Sequence, residues 1–222
     1  MTETAEAQTS SSDDRQTETR RCAVLDNHER YVVRRWWQQL TLGESEAKRR
    51  DLPPPWPRGL RAVLRRCESA DAAVLTEAFR KLWQMLENDK EGVGDGRREC
   101  HIEAWACAAL VAAELRDETP GVTPGRALGS QRKETDRPCM SELRFQQLQQ
   151  SQSPDELVRR MRRAIALVGQ KNVSVVNLVD DVLLWCQERR DPSAAARRRV
   201  EDRIAFRWAN DYFTTLARYQ RD

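Results

Sequence analysis

Between Ser153 and about Gly169 the chain reads Ser-Pro-Asp-Glu-Leu-Val-Arg-Arg-Met-Arg-Arg-Ala-Ile-Ala-Leu-Val-Gly, and its four arginines are the side chains best placed for chemistry. That chemistry is anion binding. A guanidinium stays charged and its fork of donors fits a phosphate, so arginines without a carboxylate on their own helix are open to an external partner. At the helical period Leu157, Val158, Met161, Ala164, Ile165 and Val168 share one face, and Arg159, Arg160, Arg162 and Arg163 share the other. Asp155 and Glu156 lie four residues before Arg159 and Arg160 and can pair with them, whereas Arg162 and Arg163 have no such neighbour. Two unpaired guanidiniums beside two half-paired ones point to a surface for an external anion. A merely solvated helix face is the plainer alternative.

Two patterns imitate catalysis and fail. His101-Ile102-Glu103 with Pro138-Cys139 resembles the zinc nucleoside deaminase signature, but Glu142 stands where the second cysteine is needed. Asp180-Asp181 resembles the start of an aspartate-rich metal motif, yet position 184 is Leu, and aspartates on a helix surface explain the pair. No phosphate-binding glycine loop or nucleophile elbow occurs. Neither catalysis, nor a metal, nor a cofactor, nor a small-molecule substrate is expected.

The elements that must position the arginines are helical. The 222 residues are 33% charged, with only 9 Gly and 9 Pro, and no run alternates with period two. The expected class is all-α. Residues 1–118 carry 19 basic and 22 acidic side chains, a balance of −3, while 119–222 carry 19 and 13, a balance of +6. A polyanion would be drawn to the second half. The six cysteines are widely spaced and no secretory signal precedes them, so they are expected as reduced, mostly buried thiols of a cytoplasmic protein. No apolar run reaches the ~18 residues of a membrane span.

Residues 1–20 form an expected disordered tail, 21–118 an N-terminal helical bundle, 119–140 a basic Gly/Pro linker loop, and 141–222 a basic C-terminal bundle. In the first bundle a helix over 24–41 has Tyr31, Trp36 and Leu40 as apolar anchors with Trp37 on another face. The segment Leu52-Pro-Pro-Pro-Trp-Pro57 is a rigid connector, and helices follow over 58–67 and 71–88, the latter with Leu75 on its apolar side. A turn over 92–96 leads into an apolar central helix over 97–116. In the second bundle Val175–Gln187 is a helix, and Asp191-Pro192 starts a final helix to about Arg218 on which Arg199, Arg203 and Arg207 form a stripe. Two basic helix faces after a basic loop favour nucleic acid.

The string Pro124-Gly-Arg-Ala-Leu-Gly129, then Ser141-Glu-Leu-Arg-Phe-Gln-Gln-Leu148, then the Asp155-Glu156-Leu157 helix with Arg162-Arg163, resembles the CasB family. The Trp185 helix end and Trp208-Ala-Asn-Asp-Tyr-Phe213 fit the same family. The match is best over about 122–216 and looser over 24–118. The resemblance implies an all-helical, non-enzymatic small subunit of the type I-E CRISPR surveillance complex, Cascade. It would act as a pair of copies beside the other subunits, close to CRISPR RNA and target DNA, stabilising the R-loop. By position it marks Arg126, Arg144, Arg162 and Arg163. Arg159, Arg160, Arg199, Arg203 and Arg207 come from the helix faces, and Lys171 from the end of its helix. A protein-binding helical scaffold would need no unpaired arginines. A free-standing DNA-binding regulator would need base-reading side chains such as Gln146, Gln147, Gln149 and Gln150, but no helix-turn-helix glycine turn precedes them.

Overall fold

Side-chain oxygens that cap helix starts set much of the local structure in the computed structural model, which describes residues 22–88, 102–133, 135–170 and 172–220. The helices are α1 (Asn27–Thr41), α2 (Glu44–Arg49), α3 (Arg58–Arg66), α4 (Ala70–Val74), α5 (Glu77–Asn88), α6 (Ile102–Ala112), α7 (Pro124–Gly129), α8 (Glu142–Gln149), α9 (Pro154–Leu167), α10 (Val175–Arg190), α11 (Pro192–Arg197) and α12 (Ile204–Tyr219). Among the described residues there is no strand, only an isolated bridge between Gln131 and Pro138. The all-α class holds. None of the described helices is long and apolar enough to cross a membrane.

Asp26 starts α1 with a full capping box, accepting from Glu29 N while Glu29 accepts from Asp26 N. Trp36 and Trp37 are both buried, whereas Tyr31, expected as an anchor, is 59% exposed and Val32 and Val33 are buried in its place. The proline segment folds back on α1 through Trp56 N–H to the Gln39 carbonyl at 2.8 Å. The helix expected over 71–88 is broken at Leu75-Thr76. Thr76 Oγ1 accepts from Phe79 N at 3.2 Å and restarts the chain as α5, leaving Leu75 82% exposed.

Helix α6 is buried from Ala104 to Ala112, as its all-round apolar sequence requires. It packs against α4, α9 and α10, and α1 packs on α10 as well. One apolar cluster therefore runs from Leu25 to Leu216. The second half supplies α9 and α10 to cover the first half's central helix.

The expected linker also needs correction. Its Thr123-Pro124-Gly125 start caps and opens α7, with Thr123 Oγ1 accepting from Arg126 N at 3.3 Å. Helix α7 is buried against α12. Its glycines serve close approach: a Cβ on Gly129 would stand 2.5 Å from the Tyr212 carbonyl oxygen, and one on Gly125 2.8 Å from that of Trp208. Phe145 of α8 stacks on Tyr212 with ring centroids 4.1 Å apart. The final helix is not continuous from Asp191. It is α11, a 3₁₀ turn at Val200–Asp202, and α12. Of the cysteines expected to be mostly buried, Cys107 is buried, while Cys22, Cys67, Cys139 and Cys186 are partly exposed.

Candidate nucleic-acid interface

Helix α9 begins where its sequence says it should. Ser153 Oγ accepts from Glu156 N at 3.2 Å, but the Glu156 carboxylate accepts from Gln152 N at 2.6 Å, so the reciprocal box is not closed. Leu157, Val158, Met161, Ala164 and Ile165 are buried against the core, as the periodicity predicts. That leaves the arginines outside or at the edge.

Their fates differ. Arg160 pairs with Glu156 at 2.8 Å and donates to the Gln147 carbonyl, tying α8 to α9. Arg159 and Arg163 are exposed, and neither forms a hydrogen bond or ion pair among the described residues; the expected Asp155–Arg159 pair is not made. Arg162 is not unpaired. It donates to the Cys67 carbonyl at 2.9 Å, at the end of α3, and its Nε lies 3.4 Å from Glu114 Oε1. Glu114 lies just beyond α6, a partner that helical spacing within α9 could not reveal.

Around Glu114 the positive charge accumulates. Arg65 Nη2 lies 2.8 Å from its carboxylate. Arg61 donates to the carbonyls of Ala113 at 2.9 Å and Leu115 at 3.0 Å, closing the C-terminal end of the α6 segment. Burial, then the neighbouring Arg65 and Arg116, holds the Arg61 guanidinium below its ordinary value, with Glu114 opposing. Burial likewise lowers Arg162, while Glu114 and Cys67 oppose and Arg65 adds to the fall. Three guanidiniums (Arg61, Arg65, Arg162) thus share one carboxylate with Arg116 close to Arg61, and exposed Arg66, Arg159 and Arg163 stand on the outer side of α3 and α9. Arg61, Arg65, Arg66 and Arg116 lie in the half of the chain with negative balance. Charge counted by halves hid them; the Arg65-Arg66 doublet ending α3 was the available signal.

The other expected residues are not gathered here. Arg144 is exposed on α8 and unpaired among the described residues. Arg126 of α7 lies 3.6 Å from Asp211, and Arg207 is 10% exposed and 3.4 Å from Asp180. Arg203 donates to the Ala196 carbonyl at 2.8 Å, and Arg199 pairs with Glu201. The stripe of Arg199, Arg203 and Arg207 does not form, since the turn before α12 separates Arg199 from the other two and each of the three is held by a partner within the protein. Lys171 lies outside the described residues, as do residues 1–20, the turn over 92–96, and His101.

Asp180 and Asp181 are buried rather than on a helix surface. Asp180 Oδ1 accepts from the backbone N–H groups of Ala23 at 3.0 Å, Val24 at 2.8 Å and Leu25 at 3.0 Å. Asp181 Oδ2 accepts from Trp208 Nε1 at 2.8 Å. They hold the fold together.

Fold and surface define a helical protein with an arginine-rich face where α3 and α9 meet the end of α6. The chain belongs to the CRISPR-associated protein Cse2 family, whose model matches residues 60–213. This is the family, also called CasB, of the type I-E Cascade small subunit, and it agrees with the resemblance carried by the Pro124–Gly129 and Arg162-Arg163 motifs. Neither curated proteins nor solved structures gave a significant match.

Proposed function

We propose that this chain is the non-catalytic small subunit of a cytoplasmic type I-E Cascade complex, and that its α3–α9 face binds nucleic-acid backbone. The observation that carries this is the pair Arg159 and Arg163, exposed and unpaired among the described residues beside three arginines that share Glu114. Partners already present inside the protein absorb the charge of Arg160, Arg162, Arg203 and Arg207, so these two are the arginines of α9 free for phosphate. Exchange of a DNA duplex for an RNA–DNA heteroduplex is nearly balanced in free energy, so a few backbone contacts can tip it towards the opened state. Such contacts act by charge and read no sequence. CRISPR RNA and target DNA are the nucleic-acid partners. Exposed Leu143, Phe206 and Phe213 on α8 and α12 suit contact with other Cascade subunits or a second copy.

Replacing both Arg159 and Arg163 by Ala in the assembled complex should weaken target-DNA binding about equally for all matched sequences. The log–log salt slope should become shallower by roughly 0.7–0.9 per lost phosphate contact. Affinity at several salt concentrations decides it; an unchanged affinity and slope would make this a solvated face.

A further inference from the structure

A cavity of about 490 Å³ opens between α1 and the start of α10, and none of its lining residues lies on α3 or α9. Its volume falls within the roughly 300–1,000 Å³ of small-ligand sites. Tyr31 and Arg35 stand one turn apart on α1, beside Arg30 and Arg34 at the same spacing, and all four line the cavity. No carboxylate is among the lining residues. Arg30 is held by Asn27 and the Asp26 carbonyl, and Arg34 lies 3.4 Å from Glu118. Arg35 has no partner among the described residues. The Tyr31 ring is 59% exposed at the rim, with no ring contact among the described residues.

The opposite wall comes from α10. Ser174 caps that helix and lines the cavity together with Asn177. Asn177 is only 7% exposed, yet its side-chain amide makes no hydrogen bond among the described residues. The amide is therefore open to the cavity, where a ligand or water can meet it. An amide offers both a donor and an acceptor, which is what the hydrogen-bonding edge of a nucleobase requires.

We infer that this cavity binds one nucleoside phosphate unit, its base against Tyr31 and Asn177 and its phosphate on Arg35. Arg34 shares the phosphate if Glu118 releases it. The ligand is either one unpaired nucleotide of a single strand or a free nucleotide. This extends the nucleic-acid reading to a second place without using Arg159 or Arg163.

The test uses the full chain at low salt, with a fluorescein-labelled eight-nucleotide DNA strand followed by anisotropy and unlabelled AMP as competitor. Tyr31→Ala, Arg35→Ala and Asn177→Leu should each weaken strand binding, Tyr31→Ala by at least about fivefold, as expected for loss of one stacked base. Displacement by AMP would place a free nucleotide in the cavity; displacement only by unlabelled strand would place a strand there. A strand carrying 5-iodouracil should also crosslink to Tyr31, in the wild type and in the Arg159→Ala/Arg163→Ala variant alike. Crosslinks confined to α9, with affinity unchanged in the three cavity variants, would overturn this site and leave the α9 face standing. Loss of binding in the α9 variant alone would do the same, and absence of any binding would overturn this site only, since the α9 face is judged on the assembled complex.

Discussion

At the seam of α7, α10 and α12, charged side chains answer one another. Asp180 meets Arg207 and three backbone N–H groups, Asp181 meets the Trp208 indole, and Asp211 accepts from the Thr123 hydroxyl at 2.6 Å with Arg126 beside it. On the α3–α9 face the balance is broken, with several arginines around Glu114 and more on the outside. Both regions are rich in charge, and only the second has charge left over. An arginine's type and spacing therefore say little about its job; what decides is whether the rest of the fold brings it a carboxylate or a carbonyl.

Removing a partner at the seam should have the largest effect. Asp180→Ala would take a buried carboxylate from beside the Arg207 guanidinium, 10% exposed, and would strip the acceptor from the N–H groups of residues 23–25. The expected cost is about 3–5 kcal/mol, read as a large fall in the urea midpoint. A fall of under about 1 kcal/mol would mean that residues 22–25 do not depend on this anchor.

A second cut at the seam should cost less and carry a pH signature. The Tyr212 phenol is fully buried and donates to the Met140 carbonyl at 2.6 Å. Burial, with smaller contributions from Glu142 and Tyr219, pushes its pKa up to about 12. The folded value lies above the unfolded one of about 10, so the neutral phenol stabilises the fold fully below about pH 10. That contribution is lost as pH rises through about 12. Tyr212→Phe keeps the stack on Phe145, should cost about 1 kcal/mol near neutrality, and should flatten the stability loss between about pH 10 and 12. Denaturation curves across that range check it; a loss as steep as the parent's would place the alkaline sensitivity elsewhere.

Much of this contrast could be read in the sequence, and the part that could not has a common cause. Short-range signals came through. Ser153 and Pro154 mark the start of α9, the buried face of α9 follows the helical period, and α6 is buried all round as its composition demands. What depended on distant partners did not. Gly125 and Gly129 have the composition of a loop, yet they are small so that α7 can touch the backbone of α12. Arg162 lacks a carboxylate on its own helix because Glu114 supplies one from beyond α6. Thr76 is a local signal of the opposite kind, an N-cap inside a run that otherwise looks like one helix.

The finest comparison is between two neighbours in the chain. Arg162 and Arg163 share residue type, helix and sequence environment, but Arg162 has a side chain only 20% exposed and bound to the Cys67 carbonyl, while Arg163 is exposed and unpaired among the described residues. Arg162→Ala should lower stability by about 1–3 kcal/mol, since it removes a charged donor from a partly buried carbonyl and one cation from Glu114. It should leave the salt slope of DNA binding by the assembled complex nearly unchanged, because the lost guanidinium was already engaged. Arg163→Ala should do the reverse: a melting temperature within error of the parent, and a slope shallower by roughly 0.7–0.9 if its phosphate contact is lost. Thermal melts and salt titrations on the two single variants separate the roles. Equal slopes for both would mean that the partner inside the fold does not decide which arginine is available, and exposure alone would then have misjudged the face.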